Sequence, residues 1–400
     1  MRFDNKKRRS VVMLYLFVFM AAFGISGSMF GTLQPGIIKY YGLNLKETSL
    51  FVVVQEIGIL ISMTVTALWA DRVNKNRLIG VSFLLMGLFL YMMGMAPAFY
   101  WLLAVRAFLG MASFIGNNTC SSHVSDLYGP DRSKNMALLH TFYGLGSLVG
   151  PAYAALTLRY HGWNWSYKAL GMASSIIALM FLVSLSIVKE PVPFIRVSHE
   201  NGKRTIPFSK LLKSKNLHAL GAASACISAF QLLPVWLPTY LIFQNPKSFT
   251  VENCSVIMTL YYVGMVLSRF CYSYLSGRLA PQRYIKAACA VSAAMLVPAL
   301  IFQLGWFLYI CLFVTGLISG ALYTTQYLLA CQEFPENSAG ATSVISLFSA
   351  LGSMLINASI GFIADCGFFT PAMFVPVLFI AAAPVIISLA YKPVKDPANV

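Results

Sequence analysis

The sequence predicts an all-α membrane protein whose twelve transmembrane helices form two pseudo-symmetric six-helix bundles. Three observations predict it. The composition is 58% hydrophobic and only 10% charged, with a mean hydropathy of +0.71, more apolar side chain than a soluble core of this size can hide. Apolar runs long enough to cross about 30 Å of hydrocarbon recur along the whole chain. The chain also repeats itself. A displacement of about 206 residues lays Arg72 on Arg278, Arg77 on Arg283, Gly110 on Gly316 and Gly146-Ser147 on Gly352-Ser353, and brings Asp126 to within one residue of Glu333. One offset held at several separate places marks a duplicated half.

The first apolar run, Val11–Leu33, follows the basic stretch Lys6-Lys7-Arg8-Arg9 in the manner of a signal peptide. It is too long for the apolar part of one, lacks a small-residue cleavage site and is followed at once by a second run, so it is expected to be a retained helix. The remaining runs of the first half are Glu47–Trp69, Leu78–Ala96, Phe99–Ser122, Met136–Leu158 and Tyr167–Val188. The second half contributes Leu217–Phe243, Cys254–Leu275, Tyr284–Gln303, Trp306–Cys331, Ala339–Ala364 and Pro371–Tyr391. The predicted organisation is therefore an N-terminal segment 1–10, a first bundle 11–189, a central loop 190–215, a second bundle 216–391 and a C-terminal segment 392–400. The central loop is rich in charge and proline and has no apolar run.

Lysine and arginine set the orientation. The N-terminus, the links after even-numbered runs and the C-terminus hold 22 of the 29, whereas Lys39, Lys46, Arg159, Lys168 and Lys247 fall on the other side and Arg106 and Arg269 lie inside runs. Both termini and the central loop are thus expected in the cytoplasm of a cell that has this chain in its membrane, a bacterial inner membrane by preference. The same distribution accounts for the net charge of +16. The charge sits on short loops facing one side, which suits anionic lipid and offers no basic domain to grip nucleic acid. The eight cysteines form no CxxC pair and have no histidine cluster beside them, so neither a metal, a cofactor nor a disulfide framework is expected; they read as small apolar fillers. No phosphate loop and no nucleophile–base pair is visible, so the chain is not expected to be an enzyme.

Three stretches carry a family resemblance. Ala67–Arg77, ALWADRVNKNR, resembles the loop between helices 2 and 3 of the major facilitator superfamily, with Asp71, Arg72 and Arg77 in the matching places. Arg106 and Gly110 in the fourth run fit an R-x-x-x-G pattern of that family. Gly146-Ser-Leu-Val-Gly150-Pro151-Ala-Tyr-Ala154-Ala155 in the fifth is similar to its G-x-x-x-G-P-x-x-G-G motif, and the surrounding stretch resembles the fucose–proton symporter branch. The acids that branch carries on helices 1 and 4 are missing here, where the fourth run has Asn117 and Asn118. The resemblance covers nearly the whole chain. It implies two six-helix bundles related by an axis along the membrane normal, a cavity lined by helices 1, 4, 7 and 10, and a secondary transporter working as a monomer.

The residues can also be read for their chemistry. Asp71, where the second run leaves the membrane, can cap the positive end of a helix of the other half, which the family resemblance implies to be the one starting near Ser338. Arg72 and Arg77 have an acidic candidate in Asp126, as Arg278 and Arg283 have in Glu333, and Gly277 stands at the position repeating Asp71. These seven charges form the expected cytoplasmic gate, stronger on the first half's side; the plainer account makes them inside-positive loop charges only. Gly146, Gly150 and Pro151 allow close helix packing and a kink. Glu56, midway along the second run, is the clearest ionisable group in an apolar helix and the candidate proton carrier, with Arg106 as its partner or as a substrate ligand and His140 as a possible relay. Gln55, Asn117, Asn118, Tyr143, Gln231, Tyr323, Gln326 and Asn357 are the candidate cavity residues, each alone also able to join helices; Trp236, Tyr240 and Tyr261 are candidate stacking faces. Two functions follow. The first is proton-coupled symport of a sugar or other small polar metabolite. The second is proton-coupled efflux of drugs or metabolites. A transporter-like sensor is a third class, which an appended soluble domain would favour.

Overall fold

The computed structural model describes residues 5–69, 73–128, 132–188, 213–275, 280–303, 305–334 and 338–391. Among them every regular element is an α-helix: α1 Asn5–Tyr41, α2 Leu45–Trp69, α3 Lys75–Gly94, α4 Phe99–Tyr128, α5 Arg132–Tyr160, α6 Trp163–Val188, α7 Lys215–Ile227, α8 Ala229–Gln244, α9 Val251–Leu275, α10 Pro281–Phe302, α11 Gly305–Ser319, α12 Leu322–Glu333, α13 Ser338–Asp365 and α14 Phe369–Ala390. Each of the twelve predicted runs is helical. The seventh is divided into α7 and α8, and the tenth into α11 and α12. By packing the chain divides into two units, Met1–His199 with Phe249–Thr259, and Glu200–Ser248 with Leu260–Val400.

Local sequence explains where helices begin and end. Asn44 and Glu47 form a reciprocal cap at the start of α2: Asn44 Oδ1 accepts from Glu47 N at 2.7 Å, and Asn44 N donates to Glu47 Oε2 at 3.0 Å. Asn74 caps α3 and Ser214 caps α7, each accepting a backbone N–H three residues on. Gly162 and Gly367, after α5 and α13, have φ of 90° and 89°, a left-handed turn that side chains resist.

Within each unit the helices pair in the same way. In the first, α1 packs on α5, α2 on α4 and α3 on α6; in the second, α7 packs on α13 and α10 on α14. The repeat extends to single backbone atoms. A methyl group added to Gly58 would meet the carbonyl oxygen of Ala107, and one added to Gly264 would meet that of Phe313. A methyl on Gly110 would meet the carbonyl of Gln55, and one on Gly316 that of Tyr261. All four pairs are related by the 206-residue offset. Glycine lets α2 and α4, and their counterparts α9 and α11, approach backbone to backbone.

The two helix breaks are in the second unit, and side chains donate to backbone carbonyls close to each. Pro234 in α8 has no N–H to give the carbonyl four residues before it, that of Phe230. The buried Tyr261 hydroxyl donates to this oxygen at 3.0 Å. At the α11–α12 break, Tyr284 donates to the carbonyl of Ile318 at 2.6 Å and Arg269 Nε to that of Gly320 at 3.4 Å.

Many large apolar side chains point outward along the helices, among them Leu156, Ile176, Val183, Ile301, Leu355, Leu378 and Leu389. Tyr100, Trp101, Tyr160, Trp165 and Trp306, exposed at helix ends, fit the interfacial belt of a membrane protein. Among the described residues, ten helical segments are long and apolar enough to cross a membrane by length and composition. All eight cysteines are free thiols; Cys271 and Cys366 are exposed and Cys331 is half-buried, so these three are not core fillers.

Candidate functional site

Residues spaced one or two turns apart on a helix share a face, and α4 presents Arg106, Gly110, Ser113 and Asn117 on one stripe. This stripe borders a cavity of about 170 Å³ in the first unit. Ser26 from α1, Gln55 from α2 and Tyr143 from α5 close the polar part of its wall, with Phe23 and Phe114 supplying apolar surface. The seam between α1 and α5 explains how these groups come so near one another. Gly24 lies against the backbone of Tyr143, Gly146 against Ala21, and Gly150 against Ile25 and Ser28. The helix 5 motif thus packs α5 onto α1, while Pro151 lies within α5.

Arg106 is 4% exposed. Its guanidinium carbon sits 4.4 Å from the centroid of the Phe30 ring, a cation–π contact. Its Nε has no hydrogen-bond partner. Glu56 acts on it electrostatically, and the buried Tyr167 hydroxyl lies near it without a hydrogen-bond partner. Glu56 is half-buried on α2; its neighbour Gln55, not Glu56 itself, faces the cavity.

The structure thereby brings Gln55, Arg106, Asn117 and Tyr143 together and leaves other candidates elsewhere. Asn118 is exposed, rotated about 100° from Asn117 by the helix, and does not border the cavity. His140 lies beside Ser121, with Nε2 and Oγ 3.5 Å apart, rather than at the cavity with Arg106.

In the second unit Gln231 Nε2 donates to the Tyr323 hydroxyl at 2.6 Å, and that hydroxyl is 3.5 Å from Ser349 Oγ. Tyr323 and Ser349 are the 206-residue counterparts of Asn117 and Tyr143. Gln326 is fully buried with both amide atoms unpartnered, on the α12 face that carries Leu322, Thr325 and Leu329 inward. Asn357 is also fully buried and accepts from Trp236 Nε1 at 2.8 Å, so it joins helices rather than facing a solute. Trp236, Tyr240 and Tyr261 are core residues, 0–1% exposed, and offer no open stacking face.

Of the expected gate, Asp71, Arg72 and Arg278 lie outside the described residues. Asp126 has a partner that sequence spacing did not single out: Lys75 Nζ, at 2.6 Å, which also donates to Ser122 Oγ at 2.7 Å. Arg77 is exposed, its backbone N–H serving the Asn74 cap. Glu333 accepts from Asn216 Nδ2 at 2.9 Å, and Arg283 is exposed. Sequence reading also missed His123, 4% exposed on α4 with Nε2 unpartnered, one turn before Asp126. Its position on the inward stripe of α4 was the signal available.

A family model described as Major Facilitator Superfamily matches residues 14–357 and again 244–399. The TsgA homologue of Edwardsiella ictaluri is 22% identical over 330 residues, 81% of this chain and 81% of its own length. The multidrug resistance protein MdtG of Escherichia fergusonii is 23% identical over 349 residues, 83% and 82% of the two chains. Among solved structures, a mutant of the nucleoside transporter NupG superposes with a TM-score of 0.77 at 12% identity, over 95% of this chain and all of that one. A bacterial homologue of the human lysosomal transporter Spinster, inward-facing and unoccupied, gives 0.74 at 17% identity, over 96% and 97%. These structures share the fold of this chain.

Proposed function

This chain belongs to the major facilitator superfamily and is a multi-pass membrane transporter, not an enzyme; on that premise we propose that it is a proton-coupled secondary carrier importing a small polar solute by alternating access. The observation that carries the reading is Glu56. It is a carboxylate in a stretch of α2 that is apolar but for the neighbouring Gln55, within electrostatic reach of a buried arginine at the wall of a cavity of mixed lining. A carboxyl group kept in such a helix is a group to load and unload with a proton. In this reading Glu56 carries the proton, Gln55, Asn117 and Tyr143 meet solute in the first bundle, and Gln231 and Tyr323 do so in the second. The Lys75–Asp126 pair belongs to the cytoplasmic gate. The lysine and arginine distribution supports both termini in the cytoplasm of a bacterial inner membrane.

One observation favours a second reading. The relative MdtG is described as a multidrug resistance protein, and efflux would run the same proton step in antiport. Purified chain in proteoliposomes that enclose a pH-sensitive dye separates the two. Sugars, nucleosides, organic acids and cationic dyes are added outside in turn. Symport acidifies the lumen on addition of the right class, and antiport makes it alkaline. Labelled solute that enters with no lumenal pH change of either sign would sink proton coupling.

A further inference from the structure

Among the described residues, Arg106 is the only lysine, arginine, aspartate or glutamate that is buried. An enclosed charge needs a counter-charge or a full set of hydrogen bonds, and a guanidinium matches a carboxylate through paired N–H donors. Arg106 is incompletely provided for. Phe30 covers one face, Tyr167 makes no hydrogen bond to it, Nε has no partner, and Glu56 acts on it electrostatically from outside the cavity lining. No acidic side chain is among the residues that border the cavity Arg106 faces; those that do include the neutral polar groups of Ser26, Gln55, Ser113, Asn117 and Tyr143. The cavity is therefore bordered by one cation and by neutral hydrogen-bonding groups set among apolar ones.

We infer that this cavity is an anion subsite: Arg106 holds the carboxylate of a small organic acid, Gln55, Asn117 and Tyr143 bind the polar atoms beyond it, and Glu56 competes with the ligand for the guanidinium. A volume of about 170 Å³ is the share of about six waters. It takes a carboxylate with a few further atoms rather than a whole drug-sized molecule.

The inference rests on the carrier reading for the proton role of Glu56 and gives that reading a coupling device. The titratable groups facing Arg106 are Glu56 from α2, Tyr167 from α6 and Tyr143 from α5; α1 presents Phe23, Phe30 and Ser26. Phenols keep their protons near neutral pH, so the coupled proton is assigned to the one carboxyl group among them, Glu56. When Glu56 is ionised it offsets the Arg106 charge. When it takes up a proton, the guanidinium is left to the ligand, so proton and anion each favour binding of the other. Acid and proton load together, and the substrate is an organic anion carried with a proton.

Thermal unfolding of the purified full chain tests this with matched probes: succinate against succinamide, lactate against 1,2-propanediol, and orotate against uracil. We expect at least one acid to raise the unfolding temperature while its neutral counterpart does not. For lactate and orotate, whose carboxylates stay ionised throughout, we also expect the apparent affinity to fall about tenfold or more between about pH 5.5 and about pH 8. R106Q should abolish the shift and R106K weaken it, whereas E56Q should bind with no pH dependence. Binding by the neutral members as strong as by the acids, no binding by any acid, or a pH dependence that survives in E56Q overturns the inference. If R106Q does not fold, E56Q alone decides. Because binding is read apart from flux, failures are distinguishable. Acids that bind while no solute crosses vesicles sink the carrier reading; carriage of a neutral solute with no acid binding sinks this one.

Discussion

The Lys75–Asp126 pair joins the first turn of α3 to the last turn of α4, and with Ser122 it satisfies Lys75 twice over. Its side chains are 17% and 23% exposed, enclosed enough that losing one partner leaves a poorly solvated charge. Lys75→Met is expected to destabilise the chain by about 1–3 kcal/mol, and adding Asp126→Leu to recover part of the loss, as read from unfolding in detergent. A double-variant loss equal to the sum of the two single-variant losses would show that the pair contributes nothing of its own. Residue identity made Asp126 a legible gate candidate, but its partner depends on how α3 and α4 pack, which spacing does not encode. The same limit applies to Asn117 and Asn118, equal candidates in the sequence and separated in space by the pitch of one helix. Gln326 and Asn357 were legible as polar groups inside apolar runs. Which way they face is decided by neighbours far along the chain, such as Trp236.

At the scale of the element, the breaks in the seventh and tenth runs escaped the sequence because hydropathy continues across them. Pro234 lies six residues beyond Ser228, inside α8, and leaves its mark on the Phe230 carbonyl. Tyr261→Phe removes the donor to that carbonyl and is expected to cost about 1–2 kcal/mol of unfolding free energy. In a Pro234→Ala background, where a backbone N–H returns, the same change should cost less. An undiminished cost there would mean that the hydroxyl acts elsewhere. The glycine seams are the opposite case, legible from the start because Gly110 and Gly316 coincide under the repeat. Their carbonyl neighbours, Gln55 and Tyr261, repeat too. Gly110→Ala and Gly316→Ala are each expected to lower stability by about 1–3 kcal/mol, through the same displaced helix pair in either half. Melting temperatures like that of the parent chain would contradict so close an approach.

At the scale of the molecule, one duplicated six-helix plan has been given different chemistry in its two copies. The first keeps α1 and α4 unbroken and carries Arg106 and Glu56; the second has Leu312 and Tyr262 at those positions and breaks the corresponding helices. Composition, twelve runs and the repeat sufficed to read the fold, because lipid forces every spanning backbone into helix. They did not suffice for the cargo. The claim that ties these together is that Glu56 carries the proton driving transport. Glu56→Gln in proteoliposomes tests it most directly, with uptake of a transported solute measured under an imposed pH gradient and exchange measured at equal pH on both sides. The account predicts that gradient-driven accumulation is lost while exchange continues. Accumulation at the parent rate in that variant would contradict it.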